Sequence, residues 1–157
     1  MTVGMSDTTA QLDAKEALLA AARVALEGED VDVSFGFRWP LRSDDWFSVV
    51  DTQSEVDPKV IGPRMTQDET LTLSVSVGSW RSGDDEETEL ATAQRAFGLL
   101  SKVQHHIRNQ DPTLNGTVLW CLLGPSSSAG ATTEDDAPQG RVTEVAAQFI
   151  CKHRIRN

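Results

Sequence analysis

The side chains best suited to chemistry in this 157-residue chain are three histidines, two cysteines and several runs of acids and serines. His105 and His106 are neighbours within a helical pattern, so they point about 100° apart and cannot share one ion as an i, i+4 pair does. His153 is distant from both, and with Cys121 and Cys151 the set matches no zinc spacing. Asp44–Asp45 and Asp135–Asp136 are doublets of a kind that could hold a divalent ion. They lack the alternate spacing and glycine of a calcium loop, and solvated loop acids are the plainer reading. Ser126, Ser127 and Ser128 offer hydroxyls, but a serine nucleophile needs a positioned base and oxyanion donors. No G-x-S-x-G, P-loop, G-x-G-x-x-G or H-E-x-x-H pattern occurs. The expectation is no catalytic residue, no cofactor and no metal.

Aromatic residues and charge are more telling. There are four tryptophans and no tyrosine. Trp39 precedes Pro40 and Trp80 follows Gly78-Ser79, which places both at strand ends, where aromatics serve as interface anchors or pack into the core. Trp120 lies inside an apolar run and is expected in the core. The net charge of −10 disfavours tight non-specific binding of nucleic acid. Asp84, Asp85, Glu86, Glu87 and Glu89 form an acidic segment, and Lys152, His153, Arg154 and Arg156 form a basic terminus. In a self-associating chain, one such end of a copy can meet the other end of the next. Two solvated segments that never meet is the alternative.

The length suits one domain, and 39% hydrophobic residues suffice for a core. Residues 1–8 read as a flexible leader without signal-peptide character, and 9–157 read as a single α+β domain. No apolar run reaches the roughly 20 residues of a membrane helix. Leu12, Leu18, Leu19, Ala22, Ala25 and Leu26 predict a helix from Asp7 or Thr8 to Glu27, ended by Gly28. Strands are predicted over Val31–Phe35, Trp46–Val50, Leu71–Val77, Val118–Leu123 and Val142–Ile155. The acidic run opens a second helix reaching about Asn109, since carboxylates favour a first helical turn. Leu90, Ala93, Phe97, Leu100, Val103 and Ile107 are its expected buried stripe. Segments 51–69 and 124–140 read as long loops, of the kind that order on docking. Cys121 and Cys151 are expected as reduced, buried thiols, too few for a disulfide scaffold. The expected architecture is α+β: one mixed or antiparallel sheet of about four to five strands with two long helices packed on one face.

The order of these segments resembles the tail terminator proteins of long-tailed bacteriophages. The resemblance runs through the alanine-rich helix Leu12–Leu26, then Phe35-Gly36-Phe37-Arg38-Trp39-Pro40 and Trp46-Phe47-Ser48-Val49-Val50-Asp51. It continues with the lead from Arg64 through Gln67-Asp68-Glu69-Thr70 into the alternating strand. The acidic start of helix two, Ala93-Gln94-Arg95-Ala96-Phe97-Gly98-Leu99-Leu100, Asp111-Pro112-Thr113-Leu114-Asn115-Gly116, the Trp120 strand and the strand from Gly140-Arg141-Val142 complete it. It covers roughly residues 10–156 and rests on segment order, with no single sharp motif. Loop 124–140 is longer than the family pattern.

What the resemblance implies is a structural subunit, not an enzyme. Copies would form a ring, a hexamer by the family pattern, that caps the head-proximal end of the tail tube. Its partners would be itself, the tail-tube protein and a head-completion or neck protein. DNA would pass through the lumen without specific binding, and the site of action would be the virion after assembly in the host cytoplasm. Position and chemistry nominate Trp39, Arg64, Trp80, Asp84, Asp85, Glu86, Glu87, Lys152, Arg154 and Arg156 as interface residues. A stopper or neck adaptor of the same particle is the nearest alternative. A small enzyme or ligand-binding domain is the alternative from another class and would need convergent polar groups in a pocket.

Overall fold

The structure is a computed structural model and describes residues 2–37, 42–133 and 140–156. In chain order the elements are β1 (Met5–Ser6), α1 (Gln11–Ala25), β2 (Asp32–Phe35), β3 (Asp45–Val56), β4 (Gln67–Arg81), α2 (Glu86–Gln110), β5 (Trp120–Leu123), β6 (Ser128–Gly130) and β7 (Arg141–Ile155).

Two 15-residue strands form the spine. β4 and β7 pair antiparallel along their whole length, from Gln67 opposite Ile155 to Arg81 opposite Arg141. β3 lies antiparallel on the other edge of β4, and β2 continues outward, parallel to β3. The second edge of β7 is tiled by three short strands: β6 against Glu144–Ala146, β5 against Phe149–Lys152 and β1 against Arg154–Ile155.

The expected sheet of four to five strands is therefore wrong: the sheet is mixed and has seven strands. Two physical reasons explain the shortfall. β1 and β6 are two and three residues long, too short for any alternation to register. They exist because β7 offers an unpaired edge whose backbone groups need partners. The residues read as a flexible leader thus supply a strand, held also by the Gly4 N–H on the Gly116 carbonyl at 2.9 Å.

Segment 51–69 was also expected to be loop, yet β3 runs on to Val56 and β4 begins at Gln67. Beyond Val49 the side chains of β3 are mostly polar and exposed, so no apolar pattern marks them as strand. Between the pairs Val49–Val75 and Thr52–Leu73, two residues of β3 face one of β4. Such a bulge bends the strand and strengthens its twist. The connection that remains, 57–66, closes through reciprocal bonds between Ile61 and Thr66 at 2.8 and 3.1 Å.

Both helices pack on one face of the sheet, α1 mainly over β3 and α2 over β4 and β7. That face is apolar at alternate positions: Phe47 and Val49, then Leu71, Leu73, Val75 and Val77, then Val145, Ala147, Phe149 and Cys151. From α1 it meets Ala14, Leu18, Leu19 and Ala22, where the alanines permit close approach, and from α2 Ala96, Leu99, Leu100, Val103 and Ile107. The outer face carries Thr70, Thr72, Ser74 and Ser76 on β4. On β7 it carries Glu144, Ala146, Gln148 and Ile150. Among the described residues, no helix is long and apolar enough to cross a membrane.

Candidate functional site

Three carboxylates are buried among the described residues: Asp32 on β2, which accepts from the Arg42 N–H at 3.0 Å, and two that face the helices, one near each end of β4. Near the start of β4 is Glu69, fully buried beside His153 on β7. Its Oε1 accepts from the Ala10 N–H at 3.0 Å and sits 2.9 Å from His153 Nδ1. Its Oε2 accepts from Ser54 Oγ at 2.5 Å and from the Thr9 hydroxyl. No side chain caps α1 from within its own N-terminal turn, and Glu69 serves instead, where a negative charge is favoured by the helix dipole. Burial works to raise the Glu69 carboxyl. The bonds from Ser54, Thr9, the Ala10 N–H and His153 outweigh it and hold the group below the usual carboxylate range.

On its far side, His153 Nε2 lies 2.9 Å from Ser6 Oγ, so Ser6, His153 and Glu69 follow the order of a nucleophile, base and acid relay. Ser6 and His153 line an open cleft of about 440 Å³ that also exposes Asn115, Gly116 and Thr117. An oxyanion needs free N–H donors, and along the wall of Asn115–Thr117 the backbone N–H groups are already engaged. The Asn115 N–H goes to Asp111 Oδ1, that of Gly116 to Thr113 Oγ1 and that of Thr117 to the Leu114 carbonyl. The Ser6 hydroxyl donates to the Thr8 carbonyl at 2.7 Å. The arrangement fastens β1 and the start of α1 to the spine.

At the other end of β4, Asp45 is 3% exposed, and the reading of Asp44–Asp45 as solvated loop acids is corrected for this residue. It accepts from Ser79 Oγ at 2.7 Å, from Arg81 at 2.7 and 3.0 Å and from Arg95 Nε at 2.7 Å. Arg95 also binds Glu29 at 2.9 Å, and Glu29 pairs with Lys102. Burial pushes the Asp45 carboxyl up, and the bonds from Arg81, Arg95 and Ser79 more than reverse this, leaving it below the usual range. The network joins the turn after α1, β3, β4 and α2. Among the described residues, every buried side-chain nitrogen or oxygen has a hydrogen-bond partner.

The nominated interface residues are scattered. Trp39 lies outside the described residues. Trp80 is half-buried and lies against Gly140, where an added Cβ would sit 2.9 Å from the indole. Asp85 caps α2, accepting from the Thr88 N–H at 2.9 Å, and the Thr88 hydroxyl and N–H hold its carboxyl below the usual range. The Asp84 carbonyl accepts from Arg141 at 2.8 Å, whereas the Glu86 and Glu87 side chains are exposed. The basic terminus is engaged within its own chain: Arg154 with Asp68 at 2.9 Å, Lys152 with Thr70, and Arg156 against the Met5 sulfur. Arg64 is exposed at the tip of the β3–β4 hairpin.

Three apolar expectations also change. Trp120, expected in the core, is 39% exposed on β5. Leu90 and Phe97, expected in the buried stripe of α2, are 56% and 46% exposed. With Ala93 on the helix and Ala129, Gly130 and Ala131 at β6, they line an apolar groove of about 370 Å³ that Glu86 and Glu89 border. A second exposed apolar group is at the hairpin tip: Val56, Val60, Ile61 and Met65, the last three 42%, 52% and 61% exposed. Cys121 and Cys151 are opposite each other on β5 and β7, buried and free. The bond to Cys151 and burial raise the Cys121 thiol, keeping it protonated and inert.

The sequence matches no protein-family model and no curated protein.

Proposed function

We propose that this chain is a structural subunit that works as a ring: a tail terminator that caps the head-proximal end of a phage tail tube. The observation that carries the reading is that, among several exposed apolar side chains, two groups gather at separate places on the molecule. Val60, Ile61 and Met65 stand out at the hairpin tip, and Leu90 and Phe97 line a groove on α2. Clustered exposed apolar surface, where the buried side-chain polar atoms of the described residues are all paired, is the kind that marks contact with other proteins. Two unlike sites on one chain are what a ring of heterologous contacts requires. The resemblance in segment order over residues 10–156 supplies the identity of the ring and its partners, the tail-tube protein on one side and a neck protein on the other. A net charge of −10 accords with DNA that passes through the lumen without sticking. As a virion component it would have no catalytic role, and the relay at Ser6 is read as a fastening.

The test is tube capping. Purified chain is added to tail-tube protein as it polymerises, and tubes are imaged by negative-stain microscopy. Rings seated at one tube end, with growth arrested there, are the expected result. Tubes that lengthen unchanged and bare would refute the assignment.

A further inference from the structure

We infer that the β3–β4 hairpin tip of one copy inserts into the α2–β6 groove of a second copy of this chain, head to tail. The inference rests on the ring reading above and names the contact that would build the ring.

The two surfaces match in chemistry. The tip presents Val60, Ile61 and Met65 together with the exposed cations Lys59 and Arg64. The groove presents Leu90, Ala93 and Phe97 over a floor of Ala129 and Ala131, with Glu86 and Glu89 at its border. Apolar side chains meet apolar side chains, and cations meet carboxylates at the rim, the pattern of a protein interface. The groove's volume of about 370 Å³ is in the range that takes a few inserted side chains.

The tip is built to enter without reordering. Gly62 takes φ 74° and Met65 φ 53°, and the reciprocal Ile61–Thr66 bonds lock the turn between them. A preorganised turn loses little entropy on docking. The groove is braced as well: Glu89 accepts from the Thr132 hydroxyl at 2.6 Å and faces Arg141 at 3.7 Å, fixing the wall of α2 against the strand that follows β6. Glu86 keeps its exposure beside it.

One chain cannot satisfy itself. The tip adjoins Gln67, whereas the groove lies beside Thr143, which pairs with Ser79 at the far end of β4. The 12 residue steps from Gln67 to Ser79 span about 40 Å of strand. The tip and the groove therefore meet only between copies, and each copy keeps one of each to offer onward. Such a contact closes into a ring when its rotation permits.

The experiment uses the full chain with Ile61→Cys in one preparation and Ala93→Cys in another; the native Cys121 and Cys151 are buried. Mixed and oxidised, with and without tail-tube protein, the two should yield a disulfide-linked dimer absent from either alone. A chain carrying both changes should yield a ladder that stops at the ring size. Separately, Arg64→Glu should weaken self-association about tenfold, and Glu86→Lys on the partner copy should restore it. Both positions are exposed, so circular dichroism should be unchanged. Oligomers by native mass spectrometry that give no I61C–A93C link would overturn this contact while leaving the ring reading in place. Absence of both link and oligomer, even with tail-tube protein, would overturn both.

Discussion

Helix α2 carries two apolar stripes with opposite fates. Ala96, Leu99, Val103 and Ile107 are at most 1% exposed against the sheet, whereas Leu90 and Phe97, on the same helix, are about half exposed. Nothing in their chemistry separates the two sets. The difference is geometric: α2 has covered β4 and β7 with one side, and Leu90–Ala93–Phe97 turns toward β6, whose three residues are too short and small to bury it. The same contrast divides the hairpin, where Leu71 and Leu73 are buried and Val60, Ile61 and Met65 are not. Apolar surface in this protein is thus of two kinds, one buried against the sheet and one left exposed, and the second is the surface we propose for contact with other chains.

The largest effect should come from the buried stripe. Leu99→Ala removes a side chain in full contact and should cost about 3 kcal/mol, read as a lower denaturant midpoint. If it costs under about 1 kcal/mol, the two stripes of α2 are not as different as their burial indicates.

Next in size is Asp45→Asn, which leaves Arg81 without its carboxylate and Arg95 with Glu29 alone. Because both arginines are partly exposed, the cost at pH 7 should be about 2 kcal/mol, below that of a fully buried pair. The same substitution tests the pH dependence. Asp45 and Glu69 are both held below the ordinary carboxylate range in the folded chain. Their contribution is therefore present above about pH 4, the unfolded value, and is lost as pH falls through the lower folded values. Wild-type stability should decline on acidification below that point, and the slope should be shallower in Asp45→Asn. An identical slope in the variant would show that Asp45 does not carry the acid sensitivity.

Glu69→Gln should cost about 1–2 kcal/mol and act locally. It weakens the cap on α1 and the hold on His153, so hydrogen exchange at residues 4–12 should quicken before that of β4. Smallest on stability is Phe97→Ser, within about 0.5 kcal/mol, and here the comparison is sharpest. The fold should be kept while self-association weakens. A variant that unfolds would place Phe97 in the core after all.

Much of the frame was legible in residue patterns. The alternation of Leu71, Leu73, Val75 and Val77, and of Val145, Ala147, Phe149 and Cys151, marked the spine strands. The acidic start of α2 and its expected end near Asn109 placed that helix close to its observed bounds of Glu86–Gln110. What stayed hidden depends on pairing. β1 and β6 are strands only because β7 has an edge for them. Asp45 and Glu69 did leave a trace: each shares parity with apolar inward positions, Asp45 with Phe47 and Val49, Glu69 with Leu71 and Leu73. A charge on the buried face of a strand implies a partner, and both turned out to be fully bonded. The partners themselves, Arg95 and Thr9 among them, come from distant segments and could not be read from spacing. The exposed stripe of α2 was invisible for the opposite reason, since periodicity reports an apolar face and not what covers it.

The measurement that tests the central claim most directly is native mass spectrometry of the full chain, alone and with tail-tube protein, followed by microscopy of the same samples. The account predicts one closed oligomer of fixed copy number, seated at a single end of the tubes. A chain that stays monomeric in both samples and leaves every tube end bare would contradict it.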